Sequence, residues 1–438
     1  MKRTSLTVYR ERALLVGVLQ NGSKTRPEEA LEELGQLAKA AGAVVQEAVI
    51  QRREEFNPAF YVGKGKAQEL ADHCRGGKID VVIFDNDLSP AQVRNLEKLC
   101  DRKVIDRTEL ILDIFSTHAR THQSKLQVEL AQLEYTLPRL KHLWSHLERL
   151  AGGVGIGTRG PGEKQIEVDR RIARKRINDL RKDLKQIEER KRRTVASRHE
   201  DFNLSLVGYT NAGKSSLMNA LTGTDVLVQD KVFSTLDTKT HIWRLENAHK
   251  VLLSDTVGFI RNLPHHLVAS FQATLQEVKQ ANLLIHVADA SHPELETQIE
   301  AVEAVLREIE CSRKPAVLVL NKADALRDPV ELHVLRKRWP DAILVSALTG
   351  EGLDALDRAV ARFIEERMMV ADVLCPAGDG RIQAYLSNAA QVLATQVEGE
   401  VIRLRVRITQ RALDRMWKET GRTPGEIPVH VTTEPVEG

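Results

Sequence analysis

Residues 208–215 read Gly-Tyr-Thr-Asn-Ala-Gly-Lys-Ser, the spacing of a loop that cradles a polyphosphate. An apolar strand pattern at residues 204–207 precedes the loop and a helix pattern follows it, which is the context that the motif requires. Its glycines allow close backbone approach, while its N–H groups and the helix N-terminus attract an anion. We predict that Lys214 contacts the β- and γ-phosphates as a catalytic residue and that Ser215 coordinates Mg²⁺. The whole nucleotide-binding loop consists of Gly208, Tyr209, Thr210, Asn211, Ala212, Gly213, Lys214 and Ser215.

A second motif, Asp255-Thr256-Val257-Gly258, has the form of a γ-phosphate sensor. Asp255 follows an apolar strand, a position that suits a carboxylate holding Mg²⁺ through water. Gly258 is predicted to act in catalysis by donating its backbone N–H to the γ-phosphate, which ties the following loop to the nucleotide state. Many GTPases carry a water-orienting Gln directly after this glycine, but here the residue is Phe259. Intrinsic hydrolysis is therefore expected to be slow unless a partner orders the attacking water.

A third motif follows the strand pattern at residues 316–320 and predicts recognition of guanine. Asp324 can accept hydrogen bonds from the N1–H and 2-amino groups of guanine, whereas adenine lacks both donors. Such a mismatch costs on the order of several kcal/mol, so GTP and GDP are the predicted ligands. The stem of Lys322 would cover the base, and backbone N–H groups after the next strand would reach the guanine oxygen. The predicted base site comprises Asn321, Lys322, Ala323, Asp324, Ser346, Ala347 and Leu348.

One threonine between Ser215 and Asp255 must close over the γ-phosphate and Mg²⁺ in the GTP state. The candidates are Thr235, Thr238 and Thr240. Residue types alone leave these three open.

The elements that position these motifs suggest an α/β protein of four parts. We predict an N-terminal α/β domain at 1–118, a helical hairpin at 119–200, a P-loop GTPase domain with a doubly wound sheet at 202–366, and a small α+β domain at 370–438. In the first part, strands are predicted at 14–19, 43–50 and 80–84, and a helix at 27–41. Ser89 and Pro90 are predicted to open a further helix as N-cap and first helical residue.

The hairpin prediction depends on two helical segments separated by a glycine-rich break at residues 152–162. The second segment carries a narrow apolar stripe, which is typical of a helix packing against one partner. Residues 164–200 hold 14 Lys/Arg and 7 Asp/Glu, a local net charge of 14 − 7 = +7. A solvated face with many ion pairs and a contact with nucleic-acid phosphate both fit that charge. The stripe consists of Val168, Ile172, Leu180, Leu184 and Ile187.

Two further patterns bear on function. Ile402, Leu404, Val406 and Ile408 alternate with arginines, which predicts a strand with one apolar and one basic face. Residues 63–66 (Gly-Lys-Gly-Lys) lack the spacing of a second phosphate loop, so we interpret them as the first turn of a helix that begins at Ala67 and faces RNA.

The composition of the 438-residue chain, with 42% hydrophobic and 29% charged residues, fits a soluble globular protein. No apolar run is long enough to span a membrane, and the N-terminal residues do not resemble a secretory signal. The four cysteines form no C-x-x-C pair, so reduced buried thiols in a cytoplasmic protein are expected.

Several longer runs resemble the HflX family of ribosome-associated GTPases, in the translation-factor class, over nearly the full chain. They lie in both halves of the sequence, at residues 61–66, 88–92, 104–108, 110–115, 125–133, 159–163, 207–215 and 255–260. The resemblance implies a protein that binds the large (50S) ribosomal subunit and splits stalled or idle 70S ribosomes in a GTP-dependent manner. It also implies hydrolysis stimulated by the ribosome, and it makes Phe259 a family trait.

The resemblance further implies a hairpin whose glycine-rich loop, with Arg159, reaches toward the peptidyl-transferase region, so that the basic hairpin contacts 23S rRNA. Among the candidate threonines it selects Thr235 as a catalytic residue and Mg²⁺ ligand. The neighbouring nucleotide-binding residues that it adds are Phe233, Ser234, Leu236 and Asp237. We expect a monomer.

The chain departs from the family in its switch, where residues 236–239 read Leu-Asp-Thr-Lys and relatives usually read Leu-Asp-Pro-Thr. Losing the proline removes a fixed φ, so we expect a more mobile loop. The C-terminal part matches weakly, which leaves the role of its arginines open. Two alternatives remain: a GTP-switched rRNA-binding factor in 50S assembly or dormancy with incidental turnover, and a regulator of a non-ribosomal partner.

Overall fold

The computed structural model describes residues 7–20, 31–139, 161–196, 202–224, 233, 238–246, 250–261, 272–326, 328–423 and 428–432. Within these ranges the chain forms three sheets, one after another along the sequence. The α/β class predicted from the sequence is confirmed.

The first sheet is parallel throughout and has helices on both faces. Its order is β2-β1-β3-β4. All residues of β3 are buried, as expected for a central strand of a covered parallel sheet. The strands are β1 (Arg12–Gln20), β2 (Val44–Arg53), β3 (Val81–Phe84) and β4 (Lys103–Asp106), and the helices are α1 (Glu32–Ala40), α2 (Lys64–Gly76), α3 (Pro90–Cys100) and α4 (Arg107–His118).

The predicted start of α3 is confirmed. The Ser89 hydroxyl accepts the N–H of Gln92, and the Gln92 side chain returns a hydrogen bond to the Ser89 N–H, so both partners of a capping box are present. Helix α2 begins at Lys64, directly after its N-cap Gly63, and so earlier than the predicted Ala67.

Helix α5 (His122–Thr136) packs against the long helix α6 (Pro161–Ala196). Leu126 and Leu130 of α5 form a small core with Ile177, Leu180 and Leu184 of α6. Leu180 and Leu184 of the predicted stripe are thus buried, whereas Val168 and Ile172, nearer the start of α6, are 37% and 60% exposed. The glycine-rich loop at 152–160 lies outside the described residues, and the antiparallel hairpin stays a prediction.

The second sheet is doubly wound, with the order β10-β9-β8-β5-β7-β6. Five strands are parallel, and β6 pairs antiparallel with β7 at one edge. Strand β6 was not predicted from the sequence, because its exposed edge position leaves little apolar alternation. The strands are β5 (Phe202–Gly208), β6 (Lys239–Arg244), β7 (Lys250–Asp255), β8 (Leu283–Asp289), β9 (Ala316–Asn321) and β10 (Ile343–Leu344), and the helices are α7 (Lys214–Thr222), α8 (Gln272–Gln280), α9 (Leu295–Glu308), α10 (Pro329–Arg338) and α11 (Leu353–Glu365).

The third sheet is antiparallel and has the order β12-β13-β11-β14. As predicted, Leu404, Val406 and Ile408 of β13 are buried, while the arginines between them are partly exposed. The β-α-β-β-α-β connectivity is that of a ferredoxin-like fold. Its elements are β11 (Met369–Pro376), α12 (Gly380–Ala389), β12 (Gln391–Glu398), β13 (Val401–Ile408), α13 (Gln410–Thr420) and β14 (Val429–Thr432).

One hydrophobic core crosses the boundary between the first two sheets. It combines Phe115 of α4 with Tyr209, Phe233 and Phe259 of the GTPase part. The rings of Phe115 and Phe233 meet edge to face with centroids 4.7 Å apart. The first two parts therefore pack as neighbours through apolar side chains.

Among the described ranges, no helix combines the length and apolarity that a membrane crossing demands. All four cysteines are buried.

Candidate functional site

The predicted phosphate loop lies at the carboxyl end of β5, in the middle of the second sheet, and leads into α7. Ligands of doubly wound sheets bind at this edge. The backbone has positive φ at Gly208 (156°), Asn211 (62°) and Gly213 (90°). At Gly208 a Cβ would come 2.1 Å from the carbonyl oxygen of Val287, so only glycine fits there.

Lys214, the first residue of α7, is 6% exposed and folds back over the loop. Its Nζ donates to the carbonyls of Gly208 (3.1 Å) and Tyr209 (2.8 Å). Burial lowers the pKa of Lys214 to about 8, although Asp255 raises it. Behind it, burial and Lys214 together lower the pKa of His286 to about 4, so this histidine is neutral at physiological pH.

Ser215 and Asp255, predicted to face Mg²⁺, lie together in the structure. The Ser215 hydroxyl donates to Asp255 Oδ2 at 2.6 Å, and both side chains are buried. A hydroxyl and a carboxylate at one point are the oxygen ligands that Mg²⁺ prefers. Thr256 has a different contact, because its hydroxyl donates to the Leu206 carbonyl at 2.6 Å within the sheet.

The segment after β7 lies directly on the phosphate loop. The Thr210 N–H donates to the Phe259 carbonyl (2.7 Å), and the Phe259 N–H donates to the Gly208 carbonyl (3.0 Å). The Phe259 side chain is 3% exposed and belongs to the shared core, as do Val257 and Phe233. Its ring is therefore enclosed by apolar side chains of the core that the first two parts share.

Of the switch residues, the structure describes Phe233 but not Ser234, Thr235, Leu236 or Asp237, which lie outside the described ranges. The rival candidate Thr240 is in β6, where its hydroxyl bonds with Ser254 at 2.8 Å. Because Thr240 is paired within the sheet, it is not placed to close over the γ-phosphate.

The residues predicted to read the base meet at the carboxyl ends of β9 and β10. Asn321 is buried and links two loops, because its amide donates to the Ala212 carbonyl (3.0 Å) and accepts the N–H of Ala347 (3.0 Å). Lys322, with a φ of 63°, pairs with Asp289 at 2.7 Å. Ala323 starts a short 3₁₀ turn after it.

Asp324 itself is exposed, and its Oδ1 accepts the hydroxyl of buried Ser346 at 2.5 Å. That hydroxyl accepts the N–H of Thr349 at 3.1 Å. Ser346 thus orients the carboxylate and leaves its other oxygen toward the open side. Leu348 is 85% exposed at the rim.

Sequence reasoning missed a set of side chains around Tyr209. The Tyr209 hydroxyl donates to Glu33 of α1, which lies 176 residues earlier in the chain. Arg107 and Arg261 also contact this group. No short-range pattern could have identified these residues, since the contact exists only after two parts of the chain have packed together.

Three family models match consecutive stretches of the chain. They are described as "GTP-binding GTPase N-terminal" (residues 28–116), "GTP-binding GTPase Middle Region" (118–198) and "50S ribosome-binding GTPase" (203–322). The third covers the phosphate loop, Asp255 and the start of the base-reading motif.

Curated relatives match over most of their length. A protein named GTPase HflX from Magnetococcus marinus is 42% identical over 95% of this chain and 97% of its own. Another of that name, from Escherichia coli K12, is 43% identical over 85% of this chain and 88% of its own. A solved structure, a GTP-binding protein from Sulfolobus solfataricus in complex with GDP, is 27% identical, covers 81% of this chain and 99% of that one, and has a TM-score of 0.42.

Proposed function

This chain belongs to the HflX family of GTPases, and from that premise we propose that it binds the 50S ribosomal subunit and splits stalled or idle 70S ribosomes in a GTP-dependent manner. It binds guanine nucleotide and hydrolyses GTP to GDP and phosphate. We further propose that the protein acts in the cytoplasm and that it is a monomer. The description "50S ribosome-binding GTPase" of the matching family model supports the choice of partner.

The observation that carries the proposal is the burial of Phe259. The position that often supplies a water-orienting Gln holds a ring with 3% exposure, packed in the shared core. A group other than residue 259 must therefore order the attacking water, and we propose that this group becomes available when the protein is bound to the ribosome. Hydrolysis is then coupled to the particle on which the protein acts.

Within the site, Lys214 and the loop N–H groups bind the phosphates, and the Gly258 N–H is aimed at the γ-phosphate in the GTP state. The neighbouring oxygens of Ser215 and Asp255 fit Mg²⁺, with Thr235 as the further ligand that the family resemblance indicates. Held by these residues, Mg²⁺ would supply positive charge to offset the negative charge that develops during phosphoryl transfer. Asp324 reads the base.

Contact with 23S rRNA is assigned to the basic helix α6. Its residues Arg174 and Lys175 are exposed, whereas Arg176 and Arg181 are engaged with Glu129 and Glu134 of α5. Two of the basic side chains are therefore paired with α5, whereas Arg174 and Lys175 face solvent, where phosphate can reach them. This division supports an RNA-facing surface on α6.

The experiment measures GTP turnover with and without 50S and 70S particles, together with light scattering to follow 70S splitting. We expect strong acceleration by the particles and a loss of scattering that requires GTP. Arg174→Glu/Lys175→Glu should weaken 50S binding and flatten its salt dependence by about one to two units of log–log slope. The matched control is Arg336→Glu/Lys337→Glu, an exposed pair on α10.

A different outcome selects the second candidate function, a GTP-switched rRNA-binding factor in 50S assembly or dormancy. Buried Phe259 favours it as well, because a switch needs little turnover. Binding to 50S in the GTP state with neither acceleration nor splitting would establish that alternative. Absence of co-sedimentation with 50S in any nucleotide state would refute both.

A further inference from the structure

An ion pair joins the loop predicted to read the base, residues 321–324, to the neighbouring strand of the second sheet. The Lys322 Nζ lies 2.7 Å from Asp289 Oδ2, and the two side chains are 33% and 12% exposed. Asp289 is the last residue of β8, Asn321 is the last residue of β9, and the parallel register pairs them. Lys322 comes directly after Asn321, so the strand register itself brings the lysine next to the carboxylate.

The Asp289 carboxylate is fixed by contacts of its own before it meets the lysine. Its Oδ1 accepts both the Ser291 N–H at 3.0 Å and the Ser291 hydroxyl at 2.6 Å, which closes a tight turn after β8. The Ala290 N–H donates to the Asn321 carbonyl at 2.8 Å and joins this turn to the end of β9. Because Oδ1 is engaged in the turn, Oδ2 is the oxygen that receives Lys322.

The backbone of Lys322 is held in an uncommon conformation. Its φ of 63° and ψ of 35° are left-handed, a region that sterically disfavours residues with a Cβ. Two hydrogen bonds support it, from the Ala323 N–H to the Val345 carbonyl at 3.1 Å and from the Ala325 N–H to the Lys322 carbonyl at 3.0 Å. The backbone thus sets the direction in which the lysine side chain leaves the loop, and the ion pair fixes its far end.

Holding both ends restricts the aliphatic stem of Lys322, the part that is predicted to cover the guanine base. A free lysine side chain has much rotamer freedom, and ordering it is among the larger entropic costs of burial. When Asp289 orders the stem before the nucleotide arrives, binding no longer bears that cost. A partly exposed ion pair contributes little to folding stability, so its effect falls on the position of the stem.

A second location of Asp289 gives the effect a diagnostic sign. The residue also lines the cavity beside the phosphate loop, together with Thr210 and Asn211. A carboxylate there repels phosphate, so removing its charge can only favour the binding of a bare phosphate chain. A loss of affinity confined to ligands that carry the base therefore identifies the route through Lys322.

We propose that Asp289 is a positioning residue for the guanine base, which holds the Lys322 stem over the bound base and thereby slows nucleotide dissociation. This role rests on the assignment of residues 321–324 to the base. Asp324→Asn tests that assignment separately.

The test measures the dissociation of GDP labelled on its ribose, by stopped-flow fluorescence, in the full chain without ribosomes. Asp289→Asn keeps an oxygen for the Ser291 turn and removes the charge, and it should accelerate dissociation about two- to tenfold, the range for one long side chain that is no longer ordered in advance. Lys322→Met, which retains an apolar stem without the ammonium group, approaches the ion pair from the other side and should give a similar acceleration. The matched control is Glu296→Gln, which breaks an exposed ion pair with Arg338 and should leave the rate unchanged.

Two further measurements separate positioning from general damage to the fold. In the Lys322→Met background, Asp289→Asn should add no further acceleration, because both changes remove the same interaction. Pyrophosphate, which has no base, should compete with labelled GDP at least as well in Asp289→Asn as in the wild-type protein.

An unchanged rate in Asp289→Asn, additive effects in the double variant, or a loss of pyrophosphate affinity as large as that of GDP overturns the proposal. If Asp324→Asn abolishes guanine preference while these variants leave dissociation unaltered, the base assignment stands and the role of Asp289 is refuted. Since no ribosome is present, these results are independent of the ribosome-splitting proposal.

Discussion

Replacing Asp324 by Asn should exchange guanine preference for xanthine preference. The reason is the hydrogen bonding of Ser346. Its hydroxyl accepts the Thr349 N–H and therefore donates its own hydrogen to Asp324 Oδ1, at 2.5 Å. In the variant this donor keeps the amide oxygen on the Ser346 side and leaves the NH₂ group facing the base. That NH₂ meets the 2-amino group of guanine, donor against donor, but can donate to the 2-carbonyl of xanthine.

The magnitude follows from the two hydrogen bonds that the carboxylate is predicted to make to guanine. Each bond to a charged group contributes about 1.5–3 kcal/mol, so losing both costs about 3–6 kcal/mol. The affinity for GDP should fall about 10²- to 10⁴-fold, while the affinity for xanthosine diphosphate rises. Titration calorimetry with the two diphosphates measures this difference directly.

A matched control is Asp328→Asn, four residues further along the chain. Asp328 caps α10 by accepting the Val330 N–H at 2.8 Å, and Asn caps helices equally well. It should leave the preference for GDP intact. If Asp324→Asn still prefers GDP over the xanthosine nucleotide, or if Asp328→Asn changes the preference as much, the assignment of the base reader is wrong.

Three further predictions follow from the phosphate loop and the shared core. Burial lowers the pKa of Lys214 to about 8, and phosphate binds the charged form of this lysine. The affinity for GDP should therefore fall about fivefold between pH 7.5 and pH 8.8, and binding should take up a proton. Calorimetry in buffers of different ionisation enthalpy detects this proton uptake. Gly208→Ala would place a Cβ 2.1 Å from the Val287 carbonyl and should abolish nucleotide binding in fluorescence titration, whereas Gly223→Ala, where a Cβ meets open space, should retain it. Phe115→Ala removes a fully buried ring and should cost about 3–5 kcal/mol of stability, measured as earlier thermal unfolding of the N-terminal part.

Local patterns were sufficient for much of the fold. The cap at Ser89, the buried strand β3 and the alternation in β13 were all predicted from neighbouring residues, since period and capping are short-range effects. Elements whose identity depends on distant partners were missed. The edge strand β6 is one, because pairing with β7 defines it.

The sequence by itself predicted the chemistry of this protein, namely a phosphate loop, a sensor glycine and an aspartate that reads guanine, because these functions need particular residue types at short, defined spacings. Only the tertiary structure decided which distant residues surround that chemistry. Phe259 is buried and Tyr209 reaches Glu33 because the N-terminal and GTPase parts share one core. A contact between residues 176 positions apart leaves no periodic trace in the sequence, so it became visible only after the chain had folded.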